Sequence, residues 1–217
     1  MGKIKFYWSI VSPPSRVVKL VLDILKIPAD EVEIDVMNGG SRSPEYLKVN
    51  PEGKVPAIDD NGLILTESRA IIQYLVEKYG KDDSLYPRDL AARALVHSRL
   101  YFDNGSLWPL LHEVYGPLFY GEEVNPDSVK RVQENMQSVE GFLQKNKWIA
   151  GPNLTIADIS FACIIAGLQP LFDFDISPYP KTVAWLKECS KSIPNYKLIE
   201  EGDRVLKIEM DKIPKKS

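Results

Sequence analysis

Hydrophobic and polar residues near the N-terminus alternate in two short segments that flank one apolar helical stripe. Residues 3–8 place three apolar side chains on one face, which is the periodicity of a β-strand. Residues 16–26 carry apolar side chains at helical spacing, and residues 31–36 alternate again. This order predicts a strand, a helix and a second strand, joined by a right-handed crossover.

A hairpin and a second helix follow this first unit. Apolar runs at residues 55–58 and 63–65 flank the pair Asn61-Gly62, and Asn-Gly between two apolar runs is a strong hairpin signal. Residues 67–79 then show helical spacing. The N-terminal part of the chain therefore predicts the element order βαβ-ββα.

Only helical patterns remain after a polar linker that follows this unit. A capping box of Thr155 with Asp158 marks the start of one of the helices. The patterns predict an α+β protein with a βαβ-ββα domain at residues 1–82 and an all-α helical domain at residues 89–217. The helices that we expect in the second domain cover residues 90–118, 129–145, 156–172 and 182–191.

Charge and cysteine content exclude several classes of protein. The 217 residues carry a net charge of −3, which argues against nucleic acid or an anionic membrane as the main partner. No apolar stretch has the length of a signal-peptide core or of a transmembrane helix, so we expect a cytoplasmic protein. The two cysteines, Cys163 and Cys189, do not cluster with the two histidines. We therefore expect buried free thiols and no metal site.

Two loops carry groups that are suited to binding a small molecule. Ser12 follows the first predicted strand, and ligands of open α/β sheets bind at the C-terminal ends of strands. Val55-Pro56 begins the third strand, and a cis bond there would leave the Val55 backbone free to pair with an extended peptide. Both positions also have an ordinary explanation, as a serine in a proline-rich turn and a proline that starts an edge strand.

A third candidate position lies at the start of the helix predicted over residues 67–79. Backbone N–H groups and the positive end of a helix favour a carboxylate ligand, so Glu67, Ser68 and Arg69 could surround one. The same residues could instead be a simple helix cap. The order and spacing of the three positions are more specific than any one of them alone.

Five motifs make the chain similar to the cytosolic glutathione S-transferases over essentially its whole length. The serine loop and the segment that ends at Pro87 resemble the insect delta and epsilon classes, the epsilon class slightly more. This resemblance implies a thioredoxin-like N-terminal domain, an all-helical second domain, a homodimer and glutathione as co-substrate. The motifs are SPPSR at 12–16, NPEGKVP at 50–56, TESRAI at 66–71, YGKDDSLYP at 79–87 and LTIAD at 154–158.

The resemblance implies that Ser12 carries the chemistry. Its hydroxyl would donate a hydrogen bond to the sulfur of glutathione and stabilise the thiolate. A free thiol has a pKa of about 8.5, and lowering it by about 2 units requires about 2.7 kcal/mol. One hydrogen bond to a charged group contributes about 1.5–3 kcal/mol, so a single hydroxyl could supply most of this. Tyr7 is the alternative donor, because other classes use a tyrosine at the end of the first strand.

The resemblance also implies the other contacts to glutathione. The Val55 backbone would pair with the cysteinyl unit, and Glu67 and Ser68 would hold the γ-glutamyl end. Arg69 would lie beside that end, where a dimer partner could share it. The implied glutathione-binding residues are Ser12, Pro14, Lys54, Val55, Pro56, Glu67, Ser68 and Arg69.

Two positions depart from the pattern of the nearest classes. Ser41 and Gly53 stand where those classes commonly carry histidines. The glycyl carboxylate of glutathione must then find other partners, and Lys54, or less directly Arg42, could supply the positive charge. Weak affinity for glutathione is the alternative.

An apolar helical face after residue 103 provides a candidate site for the second substrate. Such a stripe is by default part of a protein core. The resemblance places this helix against the thiol, which favours a pocket for a hydrophobic electrophile that the last helix closes. The residues expected in this pocket are Trp108, Leu111, His112, Tyr115, Phe119, Leu206 and Met210.

Taken with the resemblance, the sequence predicts an enzyme that conjugates glutathione to hydrophobic electrophiles, with a role in detoxification. A non-catalytic carrier of hydrophobic ligands on the same fold is one alternative, and the two missing histidines favour it. A glutathione-dependent isomerase, peroxidase or dehydrochlorinase is another, because it would use the same thiolate.

Overall fold

A four-stranded sheet forms the N-terminal part of the structure, a computed structural model that describes residues 3–214. The strand order is β2-β1-β3-β4, with β1 parallel to β2 and antiparallel to β3. The predicted hairpin is confirmed, because Asn61 and Gly62 have φ angles of +55° and +93°, as a two-residue turn of this kind requires. The strands are β1 (Ile4–Trp8), β2 (Ala29–Glu33), β3 (Ala57–Asp60) and β4 (Leu63–Leu65).

The second strand begins and ends earlier than its sequence pattern predicts. Pairing with β1 starts at Ala29 and ends where Glu33 lies opposite Trp8, the last residue of β1. Ile34 still donates its N–H to the Trp8 carbonyl at 2.7 Å, but the chain then turns away. The predicted second strand is therefore present, but its bounds are 29–33 rather than 31–36, since β2 is an edge strand whose length is set by its single neighbour.

The third strand is also displaced from its predicted start. Residues 55 and 56 lie outside the ladder, and pairing with β1 begins at Ala57, opposite Tyr7. Proline has no N–H to donate to a neighbouring strand, so the ladder can start only after Pro56. The Val55–Pro56 peptide bond is cis, as the binding hypothesis required.

Three α-helices cover the sheet and its connections. They are α1 (Pro13–Leu25), α2 (Pro44–Leu47) and α3 (Ser68–Tyr79). Asp60 at the end of β3 accepts hydrogen bonds from the Tyr74 and Tyr79 hydroxyls and the Lys78 ammonium, at 2.6–2.7 Å. We call these four residues the Asp60 cluster, and it ties the hairpin to α3.

The rest of the described chain is helical, but two predicted helices are divided. The helical run predicted over residues 90–118 has the observed bounds, but a five-residue π-helix (Asp103–Leu107) divides it into two α-helices. Pro109 lacks the N–H of a regular helix, which is consistent with a break in hydrogen-bond spacing just before it. The helix predicted over residues 156–172 is divided by a turn at residues 166 and 167. The helices are α4 (Leu90–Phe102), α5 (Trp108–Leu118), α6 (Pro126–Lys145), α7 (Ile156–Ile165), α8 (Leu168–Phe172), α9 (Pro180–Ser192) and α10 (Lys197–Asp211).

The centre of the helical part is α7, all of whose residues are buried. Its predicted capping box is confirmed, because Ala157 donates to the Thr155 hydroxyl and Thr155 donates to the Asp158 carboxylate. Asp158 also accepts from the Ile149 N–H and the Trp185 indole, so this carboxylate joins three segments. Cys163 and Cys189 are buried free thiols, as expected.

A buried ion pair holds the last helix against the first. The Arg16 side chain is fully buried and donates to Asp203 Oδ1 at 2.7 Å and to the Ile199 carbonyl at 2.9 Å. Gly202 leaves the space that the guanidinium fills, because a Cβ there would lie 2.0 Å from Arg16 Nη1. The fold is thus α+β, with a thioredoxin-like βαβ-ββα part and a helical part that pack closely. Among residues 3–214, no helix combines the length and apolar character needed to cross a membrane.

Candidate active site

A cavity of about 690 Å³ lies between the thioredoxin-like part and α5, with the side of α10 as one wall. It brings together residues that are far apart along the chain, from the loop after β1 to the last helix. Most of its polar lining residues come from the N-terminal part, and the helical part adds mainly large apolar and aromatic side chains. The expected site residues that line it are Ser12, Pro14, Lys54, Val55, Pro56, Glu67, Ser68, Arg69, Trp108, His112, Tyr115, Phe119 and Leu206.

Two residues that we expected in the apolar pocket do not line the cavity. Leu111 has no exposed surface and lies in the hydrophobic core, and Met210 is also part of that core. Both expectations are therefore corrected. The physical reason is that a helical face is wide, so one edge of the stripe on α5 faces the core while the other faces the cavity.

The Ser12 hydroxyl lines the cavity where α1 begins and donates no hydrogen bond within residues 3–214. Ser12 is the N-cap of α1, and its Oγ accepts the Ser15 N–H at 3.3 Å. Pro13 and Pro14 have no N–H, and the N–H groups of Ser15 and Arg16 bond to the Ser12 carbonyl. The hydroxyl proton of Ser12 is thus free to point at a ligand, beside the positive end of a helix.

Tyr7, the alternative donor, lies away from this position. It is in the middle of the β1 ladder, opposite Val32 and Ala57, and its ring packs against Tyr46 with centroids 5.9 Å apart. Tyr7 is not among the residues that line the cavity. The geometry therefore favours Ser12 over Tyr7.

The backbone of Val55 is unused by the rest of the described chain. No hydrogen bond from residues 3–214 reaches its N–H or C=O, although it lines the cavity. The preceding residue is fixed, because the Lys54 carbonyl accepts from the Tyr46 hydroxyl at 2.6 Å and from Asn50 Nδ2 at 2.7 Å. A fixed loop thus presents the free N–H and C=O of one residue, which is what pairing with an extended ligand requires.

The turn from β4 into α3 concentrates polar groups at the other end of the cavity. Glu67 has a φ of +64°, which is unfavourable for a residue with a Cβ and is typical of functional sites. Its exposed carboxylate has no partner within residues 3–214. The first N–H groups of α3, from Ser68 onward, have no partner inside the helix and face the same region. An ammonium and a carboxylate on one ligand could both be satisfied here.

Arg69 is held by a partner that the sequence analysis missed. Its guanidinium makes two hydrogen bonds to the Asp103 carboxylate, both at 2.9 Å, and a third to Ser68 Oγ at 2.9 Å. Asp103 is fully buried at the start of the π-helix and also accepts from the Ser160 hydroxyl on α7. Arg69 is therefore already neutralised, and it acts more as a rigid support for α3 than as a free charge. No local signal marks Asp103, because its partner is 34 positions away.

The apolar side of the cavity contains two polar groups that stay uncharged at neutral pH. Burial, and then the nearby Lys54 ammonium, lower the pKa of His112 below its usual 6.5. Burial, and then the Asp203 carboxylate, raise the pKa of Tyr115 far above its usual value. The His112 ring packs edge-on against Trp108 with centroids 5.0 Å apart. This region suits an apolar molecule that carries a hydrogen-bonding group.

Several further residues line the cavity although the sequence did not predict them as site residues. Only the folded chain brings them to this place, because they come from separate loops and helix ends. Among residues 3–214 there is no cluster of three or more His, Cys, Asp or Glu side chains that could hold a metal ion. The additional lining residues are Val11, Pro13, Val36, Met37, Ser41, Asn50, Glu52, Gly53, Asn104 and Pro109.

Family models match both parts of this architecture. Residues 6–83 match the model for "Glutathione S-transferase, N-terminal domain" and residues 104–192 match "Glutathione S-transferase, C-terminal domain". Among curated proteins, the chain is similar to glutathione S-transferase D7 of Anopheles gambiae, with 36% identity over 90% of each chain. It is 40% identical to glutathione S-transferase 1 of Manduca sexta, over 83% of this chain and 84% of that protein.

Solved structures of both insect classes superpose on the chain equally well. A delta-class glutathione transferase of Nilaparvata lugens has a TM-score of 0.92 at 36% identity, covering 97% of this chain and 100% of that one. An epsilon-class enzyme of Musca domestica has a TM-score of 0.90 at 36% identity, covering 97% and 98%. A glutathione transferase homologue of Drosophila mojavensis, with bound glutathione, has a TM-score of 0.90 at 38% identity and covers 99% of each chain. The chain belongs to the glutathione S-transferase family, among the relatives of the insect delta and epsilon classes.

Proposed function

We propose that this chain conjugates reduced glutathione to hydrophobic electrophiles. Its relatives are named glutathione S-transferases, and the Drosophila mojavensis homologue holds glutathione. The chain is accordingly a glutathione transferase with glutathione as co-substrate. The observation that carries the assignment of residues is the unpartnered Ser12 hydroxyl, which lines the same cavity as the free Val55 backbone and the free Glu67 carboxylate.

Glutathione fits this cavity as an extended peptide. The cysteinyl unit pairs with the Val55 backbone, beside Pro56, in the manner of an added strand. The γ-glutamyl end then meets Glu67, which takes its ammonium, and the N-terminus of α3 at Ser68, which takes its carboxylate. Arg69, fixed by Asp103, keeps this helix end in position. Lys54 serves the glycyl carboxylate, and Pro14 forms part of the wall next to Ser12.

Activation of the sulfur depends on the Ser12 hydroxyl. The thiol of glutathione is mostly protonated at neutral pH, and the thiolate is the nucleophile. A hydrogen bond from Ser12 stabilises the anion by about 1.5–3 kcal/mol, which lowers the thiol pKa by about 1–2 units. The thiolate then attacks the electrophile, and the leaving group or the protonated adduct departs through the open side of the cavity. Ser12 is a hydrogen-bond donor in this mechanism and forms no covalent bond.

The electrophile occupies the apolar side of the cavity. Trp108, Tyr115, Phe119 and Leu206 offer broad apolar contacts, and uncharged His112 offers a hydrogen bond at the edge of the ring cluster. An aromatic or α,β-unsaturated electrophile with a nitro or carbonyl group matches this chemistry. Detoxification of such compounds in the cytoplasm is the role that we propose.

We further propose that the chain divides into a glutathione-binding domain at residues 1–82 and a helical domain at residues 89–217.

We also propose that the protein acts as a homodimer, and large apolar side chains that are exposed on one protomer support this proposal. Leu63 and Ile64 are on β4, and Leu90 and Tyr101 are on α4. Exposed apolar surface of this kind is typical of protein–protein interfaces.

Calorimetric titration with glutathione, combined with a chlorodinitrobenzene conjugation assay, tests the function. We expect saturable binding and turnover by the same preparation. Binding of hydrophobic ligands without turnover would instead indicate the carrier function. If glutathione neither binds nor reacts, the proposal is wrong. A panel of isomerase, peroxidase and dehydrochlorinase substrates then compares the reactions that share the thiolate.

A further inference from the structure

A second cavity, of about 510 Å³, lies next to the candidate active site. Val11 and Met37 line both cavities, so these two residues form a shared wall. The other walls come from the loop before α1, from the end of β2 with the loop that follows it, and from the C-terminal end of α10. The cavity has the volume of a small-molecule site, and the proposed function makes no use of it.

The charged groups of this second cavity are mostly carboxylates. Glu33, the last residue of β2, has no hydrogen bond or ion pair from its carboxylate within residues 3–214. Asp35 accepts hydrogen bonds from Asn38 Nδ2 at 2.8 Å and from the Asn38 N–H at 3.1 Å, and these bonds hold its pKa below the usual value. Lys212, the one cation among the described residues that line the cavity, is paired with Glu209 at 2.6 Å. Three carboxylates and one ammonium thus leave two negative charges uncompensated.

A buried hydroxyl without a partner opens onto the same cavity. Ser9 is only 4% exposed, and its Oγ makes no hydrogen bond to any of residues 3–214. In this part of the chain, the unpartnered side-chain atoms that are sealed from solvent are Ser15 Oγ and Arg16 Nε, so Ser9 Oγ keeps a small accessible surface. That surface faces the cavity, because Ser9 lines it. Buried polar groups in proteins normally have a partner, and this hydroxyl is therefore available to a ligand.

An organic cation fits these groups better than a metal ion does. Among residues 3–214 no group of three His, Cys, Asp or Glu side chains is placed to hold a metal ion, so the carboxylates of the cavity cannot share one. An ammonium group can instead donate separate hydrogen bonds to a carboxylate and to Ser9 Oγ. Its carbon body would then contact the apolar lining, which consists of Ile10, Val11, Met37 and Val205.

We propose that the second cavity binds a small organic cation, which is an ammonium or guanidinium group carried on an apolar body. Glu33 and Asp35 supply the counter-charge, and Ser9 Oγ accepts a hydrogen bond from the cationic group. The site goes beyond the proposed function, because neither glutathione nor the electrophile occupies it. Its ligand is neither a substrate nor a product of the conjugation.

The first test compares 4-phenylbutylamine with 4-phenylbutan-1-ol, which has nearly the same shape but no charge. Each is titrated calorimetrically into the full chain, with and without saturating S-hexylglutathione, whose peptide and hexyl chain fill the candidate active site. We expect the amine to bind at one site in the presence of S-hexylglutathione, and the alcohol to bind there at least about tenfold more weakly. Equal affinities, no binding of the amine, or its displacement by S-hexylglutathione overturns the proposal.

The second test removes the unpartnered carboxylate. For Glu33→Gln we expect the Kd of the amine to rise about fivefold, because one ion pair with an exposed carboxylate is lost. Glu201→Gln is the matched control, since Glu201 is an exposed carboxylate of α10 that does not line the cavity. It changes the net charge equally, and we expect it to leave the Kd unchanged. An unaltered Kd for Glu33→Gln, or an equal rise for both variants, contradicts the proposal.

The third test predicts a change of opposite sign. Lys212→Met removes the competing cation and frees Glu209, so we expect the amine to bind about threefold more tightly. Lys207→Met is the control, because Lys207 is also paired with a carboxylate one turn away, Asp211 at 2.8 Å, but does not line the cavity. Unchanged or weaker binding by Lys212→Met refutes the charge argument on which the site depends.

The last variant, Ser9→Ala, tests the buried hydroxyl. We expect the affinity for the amine to fall about threefold, while the melting temperature stays close to that of the wild type because no hydrogen bond within residues 3–214 is lost. An unchanged affinity overturns the assignment of the cationic group to this place. Circular dichroism of each variant shows that it is folded. Binding of the amine is measured without turnover, so its outcome is separate from success or failure of the proposed function.

Discussion

Replacement of Ser12 by alanine is the most direct perturbation of the proposed chemistry. Pro13 and Pro14 lack N–H groups, and the next N–H groups of α1 are bonded to Ser12. The variant removes the hydroxyl donor that lines the cavity and the cap that its Oγ provides for the Ser15 N–H, while the backbone hydrogen bonds to the Ser12 carbonyl remain. We expect the pKa of the bound glutathione thiol to return toward its value in solution, about 8.5.

The size of the effect follows from one hydrogen bond to an anion. A contribution of about 1.5–3 kcal/mol corresponds to a wild-type thiol pKa of about 6.5–7.5. With a shift of about 2 units, the thiolate fraction at pH 6.5 falls from about 50% to about 1%, so turnover falls by up to about fiftyfold. Near pH 9 both enzymes hold mostly thiolate, and the difference becomes small. The loss must therefore be greatest at low pH.

Two measurements check this expectation. The pH profile of kcat/KM with chlorodinitrobenzene gives the kinetic pKa, and the ultraviolet absorbance of the thiolate in the binary complex gives it directly. Ser15→Ala is a matched control in the same helical turn, because the Ser15 hydroxyl is buried and unpartnered within residues 3–214 and removing it costs little. If Ser12→Ala has the wild-type profile, or if Tyr7→Phe shifts it instead, the assignment of Ser12 is refuted.

Three further expectations concern stability. Gly202→Ala forces a methyl group onto the buried Arg16 guanidinium and should lower the free energy of unfolding by about 3 kcal/mol, which corresponds to a fall of roughly 6–12 °C in Tm. The control is Gly141→Ala in α6, where a Cβ meets nothing within 4 Å, and we expect it to be neutral or stabilising. Equal Tm values for the two variants would contradict the packing argument. Asp103→Asn leaves the buried Arg69 guanidinium without its counter-charge, so we expect the free energy of unfolding to fall by about 3 kcal/mol and the KM for glutathione to rise. A variant with unchanged stability and KM would mean that this ion pair makes no net contribution to stability. Burial alone would raise the pKa of Asp60, but the hydrogen bonds of the Asp60 cluster hold this pKa well below its usual range. The carboxylate therefore adds stability above about pH 4, and this stability is lost as the pH falls. Denaturant unfolding of Asp60→Asn at several pH values should lack this part of the acid dependence.

The local pattern of the chain was sufficient for the elements whose stability is itself local. The hairpin turn at Asn61-Gly62 depends on φ angles that these residues adopt readily, and the capping box at Thr155 depends on hydrogen bonds within one turn. The strand β1 and the helix α3 follow from simple periodicity. Family motifs then identified the loops at Ser12, Val55 and Glu67, because a ligand-binding loop is a short continuous segment.

Other features depend on which segments meet in space. The end of β2 is set by the length of β1, and the interruption at the π-helix comes where the buried Asp103 meets Arg69 from α3 and Ser160 from α7. From their spacing, Leu111 and His112 were predicted on one stripe of α5. In the structure Leu111 lies in the core and His112 lines the cavity, because the packing of α5 against the rest of the protein decides which side of the stripe is covered.

The sequence by itself determined the element order, the family and the candidate site loops. The element order follows from apolar residues that recur with a period of two in strands and 3.6 in helices, and the family and the loops follow from motifs of contiguous residues. The tertiary structure decided which side chains share a cavity and which charges are already neutralised. Arg42 and Arg69 are both arginines in candidate loops, yet one is free beside Gly53 and the other is held by Asp103. Contacts of this kind join residues that chain folding brings together, and no local pattern encodes them.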